Sequence, residues 1–230
     1  MNRCFLKKSL VLLSSSVLSL GVAGASLIPC TIGGGGTGGQ VTSTTVVTCG
    51  GLAFDNFQVI DATGGASGLV DVLSGSAYDS VTGTAFLEIN PNLQANQDEE
   101  FLFQVWGGIT QIDMSVAGNN ASITERACAN PIATSGPLAA LCTNPTGTMN
   151  VAPLGQITVH SGDPNQPVFS TPFKSTSPVY IFKDINTGVG GQLMEFTQSF
   201  ETAVPEPVSM LLLGSGLLGV GLLRRRPRRD

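Results

Sequence analysis

Charged and aromatic side chains are scarce in this chain of 230 residues. Asp, Glu, Lys and Arg make up 12% of it, half the usual ~25%, and there are one His, one Trp and two Tyr. With one His and no Cys-x-x-Cys spacing, a metal centre is not expected. The glycines have no three-residue period and helix-forming residues are few, so neither a collagen nor a coiled coil is indicated.

Turn residues and short alternating apolar segments are abundant instead. The chain has 29 Gly and 13 Pro, and no long segment with helical periodicity precedes residue 204. Period-two alternation predicts strands at 41–48, 54–60, 68–73, 84–89, 121–127, 156–160, 179–185 and 192–202. This pattern favours an all-β body, an antiparallel β-sandwich of jelly-roll type.

One hairpin is predicted in more detail, at residues 101–114. Two alternating runs flank Gly107 and Gly108, which suit a two-residue turn. Pairing across that turn would place Phe103 beside Ile112 and Phe101 beside Met114. We therefore expect these four side chains to be buried.

The N-terminal segment has the features of a secretory signal peptide, predicted as a signal helix at 1–25. A basic start is followed by an apolar stretch at 10–22, too short to span a membrane stably, and then by a small-x-small cleavage pattern. The residues expected at the cleavage site are Ala23, Ala25 and Ser26. An uncleaved N-terminal anchor is the alternative.

The C-terminal segment is the most specific feature of the sequence. A Val-Pro-Glu-Pro segment precedes 208–223, which carry no charge, and an arginine-rich tail fills 224–230. A helix over 208–223 would be about 24 Å long, short of a bilayer core of ~30 Å, so it would span the membrane marginally. The arginines would hold its C-terminal end in the cytoplasm.

These C-terminal features together resemble the PEP-CTERM sorting signal, which is also described as an ice-binding-protein C-terminal domain. The matching residues are Val204, Pro205, Glu206, Pro207, Arg224, Arg225 and Arg226. The resemblance implies a Gram-negative bacterium, and recognition by exosortase, a membrane cysteine protease or transpeptidase. It also implies a temporary anchor in the inner membrane, followed by transfer to the cell surface or matrix. A plain tail anchor is the alternative.

The body between the two signals, residues 26–203, is strongly acidic. It holds 14 acidic and three basic side chains, a difference of −11. Such a body would repel phosphates, so nucleic acid is not an expected partner. In three short pieces, at 49–57, 123–128 and 183–185, it is similar to a recurrent type of protein with this signal, for which no activity can be carried over.

Four cysteines remain after removal of the signal peptide, and export favours their oxidation. Four cysteines allow three pairings. We predict Cys30–Cys49 and Cys128–Cys142, because each pair closes a short loop. Such a loop stabilises a fold by about 3 kcal/mol in the chain-entropy model.

Catalytic and metal-binding residues are weakly indicated. His160, Ser161 and Asp163 contain the residue types of a hydrolase triad, but a strand end followed by a turn explains them better. The run 98–100 could supply a glycosidase carboxylate, and a solvated turn is the alternative. The segment 184–188 begins somewhat like a calcium loop but lacks the full spacing and the closing Glu.

Trp106 is the candidate contact for a glycan, because it would lie on the less apolar face of the predicted hairpin. No Thr-x-Thr ladder supports ice binding. We therefore expect a non-enzymatic surface or matrix protein with a structural or interaction role and no cofactor. Its expected partners are exosortase and the secretion translocase. A carbohydrate module that binds exopolysaccharide is the alternative, followed by a secreted hydrolase.

Overall fold

The computed structural model describes residues 27–33, 38–137, 139–162, 173–174 and 177–202. Within these residues the chain is all-β, as predicted. In chain order the strands are β1 (Leu27–Pro29), β2 (Thr31–Ile32), β3 (Gly39–Val41), β4 (Val47–Cys49), β5 (Leu52–Thr63), β6 (Val70–Val72), β7 (Ala77–Asp79), β8 (Thr84–Asn90), β9 (Asp98–Trp106), β10 (Ile109–Cys128), β11 (Gly155–His160) and β12 (Val179–Thr202).

The strands form one sheet, so the prediction of a sandwich of two separate sheets is corrected. The main order is β1-β7-β8-β12-β9-β5-β4-β2, with β10 beside β12 and β11 beside β10. All registered pairs are antiparallel, including β3–β6 and β6–β8. The sheet is nearly closed and barrel-like. The sequence shows the alternation of each strand, but it does not show that two strands run through both halves of the body.

Those two strands are β10 and β12, which pair along almost their whole length. The register runs from Ile109 opposite Thr202 to Cys128 opposite Tyr180. The first half of β12 also pairs with β9, whereas its second half pairs with β8. Long strands that bend can pass from one face of a fold to the other. One continuous sheet therefore supplies both walls of the core.

The bend occurs where the β10–β12 ladder is irregular. Register shifts fall between Ala117 and Gly118 and between Asn119 and Ala121. Asn120 has a φ of 46°, and its Nδ2 donates to the Val189 carbonyl oxygen at 2.9 Å. Asn tolerates this left-handed conformation better than most residues. Bulges of this kind bend strands and increase their twist.

Phenylalanine side chains fill the space between the two walls. Phe54 and Phe103 come from β5 and β9, and Phe200 comes from the second half of β12. The Phe54 and Phe200 ring centroids lie 5.0 Å apart, and those of Phe103 and Phe200 lie 6.1 Å apart in an edge-on arrangement. All three residues are fully buried. Contacts of this geometry stabilise a core beyond the burial of area alone.

The predicted hairpin is half right. Phe101, Phe103, Ile112 and Met114 are all buried, as expected. However, β9 pairs with β5 and β12, and β10 pairs with β11 and β12, so no β9–β10 ladder forms. Gly107 and Gly108 carry the chain from one wall of the core to the other. An alternating pattern specifies which face is buried but not which strand lies alongside.

A smaller apolar cluster lies on the outer face of the sheet. It contains Cys128, Ile132, Cys142 and Phe182. The Arg126 guanidinium lies 5.4 Å from the Phe182 ring centroid, and its Nη1 donates to the Ala140 carbonyl oxygen at 2.9 Å. The loop after β10 therefore covers part of the outer face, and Phe182 is buried there.

Candidate functional site

The predicted sorting and cleavage residues lie outside the described residues. They are Ala23, Ala25, Ser26, Val204, Pro205, Glu206, Pro207, Arg224, Arg225 and Arg226. The predicted helices at 1–25 and 208–223 lie outside them too. Among the residues the structure describes, no helix is long and apolar enough to cross a membrane. These predictions therefore rest on the sequence.

The cysteines lie together in the predicted pairs. Cys30 and Cys49 have Cα atoms 4.4 Å apart, and Cys128 and Cys142 have Cα atoms 5.3 Å apart. Both separations suit a disulfide. The first pair joins the segment between β1 and β2 to the end of β4. The second closes the loop over Phe182.

Trp106 ends β9 and is 42% exposed. Its Nε1 donates to both carboxylate oxygens of Asp55, each at 3.1 Å. Asp55 lies on the neighbouring strand β5. The bond to Asp55 holds the edge of the indole ring, so the exposed part of the ring has a defined orientation. An exposed indole ring held in this way combines an apolar face with a polar edge, as is common at interaction surfaces.

The other candidate residues predicted from the sequence take part in the hydrogen bonds or strand pairs of the sheet. The Ser161 Oγ accepts a hydrogen bond from the Ala121 N–H at 2.8 Å, next to the exposed His160 at the end of β11. Asp163 lies outside the described residues. Asp184 and Asn186 lie in β12, paired with β9 and β10, and do not form a loop. Among the described residues, no group of three or more His, Cys, Asp or Glu is arranged to hold a metal ion.

The acidic run 98–100 opens β9 rather than forming a turn. Asp98 and Glu100 are partly exposed, whereas Glu99 is fully buried. Burial raises the pKa of Glu99 to about 7. The backbone N–H of Gly68 lies close enough to oppose this rise in pKa, but neither carboxyl oxygen makes a well-formed hydrogen bond with the described residues. Burial, and then the neighbouring Asp184 and Asp61, raise the pKa of Glu100.

A cleft of about 390 Å³ lies on the outer face of the second half of the sheet. Asp79, Asp113 and Glu201 line it together with hydroxyls of Thr and Ser side chains. Asp113 is 8% exposed, and its Oδ1 has no hydrogen-bond partner among the residues described. Burial, followed by the charge of Asp113, raises the pKa of Glu201. This cleft favours a cationic or hydroxyl-bearing ligand over an anion.

A buried polar cluster is the feature that the sequence reasoning missed. Lys183 Nζ contacts Glu125 Oε2 and Gln198 Oε1, and all three residues are fully buried. Gln198 Nε2 donates to Glu125 Oε1 at 3.2 Å and to the Asp113 carbonyl oxygen at 2.9 Å. Lys183 Nζ also lies 3.5 Å from Met114 Sδ. Polar groups buried this deeply are costly unless they bond to one another, as they do here.

Each member of this cluster occupies a core-facing position in its strand. Glu125 lies between the buried residues Ile123 and Ala127, and Lys183 lies between the buried residues Ile181 and Ile185. Gln198 likewise lies between Phe196 and Phe200. The sequence therefore shows three polar residues at positions where the alternation of the strand would normally place an apolar one.

A family model of the PEP-CTERM protein-sorting motif matches residues 203–226. The chain carries this sorting signal, which confirms the resemblance seen in its C-terminal residues. The signal implies exosortase-dependent export to the cell surface. No curated protein and no solved structure matches the chain significantly.

Proposed function

We propose that this chain is an acidic protein of the cell surface or extracellular matrix with a structural or interaction role. The observation that carries the proposal is the sorting motif at 203–226. Two cysteine pairs at disulfide distance agree with an oxidising destination. The proposed body, 26–203, follows the signal peptide and precedes the sorting segment. We further propose that the protein is not an enzyme.

The proposed route has four steps. The secretion translocase exports the chain of a Gram-negative bacterium, and the signal peptide is removed before Ser26. Helix 208–223 then anchors the precursor in the inner membrane, with its arginines in the cytoplasm. Exosortase reads Pro205-Glu206-Pro207 at the outer boundary. Processing removes the anchor and releases the body to the surface.

The route is tested by changing Pro205, Glu206 and Pro207 to alanine in a strain that has exosortase. The helix and arginines are untouched, so the variant should insert but remain a membrane-bound precursor with its C-terminal arginines. Intact-mass measurement of the membrane and surface fractions gives the result. Pro227→Ala, outside the motif, is the control and should be processed normally. Normal trimming and release of the triple variant would favour a plain tail anchor.

A second candidate function, glycan binding, is favoured by the fixed and exposed ring of Trp106. Polysaccharide of the same matrix is the proposed ligand. A glycan array would identify ligands, and Trp106→Ala should abolish their binding, whereas Trp106→Phe should retain part of it. Met194→Ala, at another exposed apolar side chain, should bind normally. If no glycan binds the wild-type protein, or if Trp106→Ala binds unchanged, this candidate is rejected.

A secreted hydrolase is the third candidate, and it is carried by the triad residue types His160, Ser161 and Asp163 in the sequence. Because the Ser161 hydroxyl accepts a hydrogen bond from the backbone of β10, a structural role is proposed for it. Activity-based probes for serine hydrolases should leave the wild-type protein unlabelled. Labelling that is lost in Ser161→Ala would overturn this proposal.

A further inference from the structure

Lys183, Gln198 and Glu125 provide what the formation of an amide bond between two side chains requires. An amine, a carboxamide and a carboxyl group lie in mutual contact, and all three are buried away from bulk water. We propose that Lys183 and Gln198 become joined by an intramolecular isopeptide bond, with Glu125 as the group that moves the proton. The proposed bond is a covalent modification and does not depend on the sorting route.

The arrangement distinguishes Gln198 from Glu125 as the acceptor. Lys183 Nζ contacts the carbonyl oxygen of the Gln198 amide, which is one bond from the carbon to be attacked. The amide nitrogen Nε2, which has to leave, donates to Glu125 Oε1 at 3.2 Å. The other oxygen of Glu125, Oε2, contacts Lys183 Nζ. One carboxyl group therefore touches both the nitrogen that loses a proton and the nitrogen that gains one.

The apolar surroundings of the cluster favour the uncharged forms of the Lys183 amine and the Glu125 carboxyl. Phe196 and Met114 contact the amine, with Nζ 4.9 Å from the Phe196 ring centroid. Burial lowers the pKa of Lys183 and raises the pKa of Glu125, and their mutual attraction opposes both shifts. A desolvated neutral amine is a nucleophile, and a protonated carboxyl is a proton donor.

The reaction balances without an added reagent. The bond between Lys183 Nζ and Gln198 Cδ forms, and the bond between Cδ and Nε2 breaks. Glu125 gives a proton to the departing Nε2 and takes one from Nζ, so it ends as it began. Ammonia leaves, and no atom is oxidised or reduced. The fold already holds the three groups in contact. The reaction therefore avoids the entropic cost of bringing them together, which is a large part of the barrier to the same reaction in solution.

The bond would connect the two walls of the core. Lys183 lies in the half of β12 that pairs with β9, and Gln198 lies in the half that pairs with β8. The sheet would then be closed covalently across its bend, by a link that reducing agents do not break. Such a link suits a protein that works outside the cell.

The test is peptide mass spectrometry of the exported protein after reduction and denaturation. A protease that cuts after Glu cleaves at Glu195, between the two residues. The peptides containing Lys183 and Gln198 should remain joined, with a mass one ammonia below their sum. Separate, unmodified peptides would overturn the proposal. An uncut 101–195 peptide with a mass one water below that of its sequence would place the bond between Lys183 and Glu125, and would also overturn the assignment to Gln198.

The wild-type result decides the question without requiring any variant to fold. Glu125→Gln then tests the role of the carboxyl, because it keeps the shape of the side chain but removes the group that moves the proton. Its two peptides should be recovered separately. Glu88→Gln on β8 is the matched control and should retain the link. A linked Glu125→Gln protein would show that Glu125 does not move the proton.

Discussion

Glu99 is the residue whose surroundings connect stability most directly to pH. Burial raises its pKa from 4.5 to about 7 in the folded chain. Between these two values the folded state holds a proton that the unfolded state releases. The free energy of unfolding therefore falls as pH rises through this window, by at most about 3 kcal/mol at ~1.36 kcal/mol per pKa unit.

Glu99→Gln should remove this dependence, since a neutral amide resembles the protonated acid. We expect the variant to be about 1–3 kcal/mol more stable than the wild type at pH 8 and nearly equal to it at pH 4.5. Urea denaturation at both pH values measures the difference. Glu88→Gln, at a partly exposed position, is the matched control for replacing a carboxyl by an amide. A Glu99→Gln protein that is equally destabilised at both pH values would contradict the assignment.

At the scale of the residue, the sequence predicted which apolar side chains are buried, but it did not predict that a charged side chain is buried with them. Phe101, Phe103, Ile112 and Met114 were expected in the core because they alternate with polar residues, and they are there. The same alternation places Lys183 in the core, but a charged side chain is normally assumed to face solvent. Its two partners lie 58 and 15 positions away in the chain. Only the strand register brings them together.

At the scale of the element, Gly107 is the position where the connection between β9 and β10 is most constrained. Its φ is +120°, and a Cβ added there would lie 2.5 Å from Leu52 Cδ2 and 2.7 Å from the Gly51 carbonyl oxygen. The backbone of this connection therefore presses against the start of β5. Neither neighbouring group can be avoided by a simple rotation of the new methyl group.

Gly107→Ala should therefore lower the free energy of unfolding by about 2–4 kcal/mol, from backbone strain and overpacking together. Gly136→Ala separates the two effects, because Gly136 has a φ of +79° but nothing within 4 Å of the added Cβ. The control should cost about 1–2 kcal/mol. Chemical denaturation of both variants provides the comparison. Equal losses would mean that the contact with β5 is unimportant.

Element boundaries were predicted well where a strand is short and isolated by turns. The predicted strands 84–89 and 156–160 match β8 and β11 closely. The long strands were predicted in pieces, since 121–127 is the last third of β10 and 179–185 is the start of β12. Glycines and asparagines are concentrated at 118–120 and 186–191, between the predicted pieces. These segments are bends within strands that continue.

At the scale of the whole molecule, features encoded within one segment of the sequence were predicted, whereas features that depend on contacts between distant segments were not. The sorting motif was recognised because its tripeptide, apolar segment and arginines are contiguous in sequence. The two short cysteine loops were predicted for the same reason. The single sheet and the buried cluster depend on contacts between distant strands, such as Phe54 with Phe200. No pattern within one segment contains that information.

The two cysteine pairs should stabilise the molecule independently, because they belong to different apolar clusters. Cys30 and Cys49 lie in the main core, whereas Cys128 and Cys142 lie in the outer cluster with Phe182. Their sequence separations are 19 and 14, so the chain-entropy model gives about 3 kcal/mol for each. Sites without shared contacts usually contribute additively.

Replacing either pair by serines should therefore cost about 3 kcal/mol, and replacing both should cost about 6 kcal/mol. Denaturation of the exported protein under oxidising conditions measures these values. The wild type with its disulfides reduced is the control and should match the fourfold variant. Loss of the second pair should also make the loop after β10 sensitive to proteases, because that loop covers Phe182. A fourfold variant much less stable than this sum would show that the outer loop and the main core are coupled.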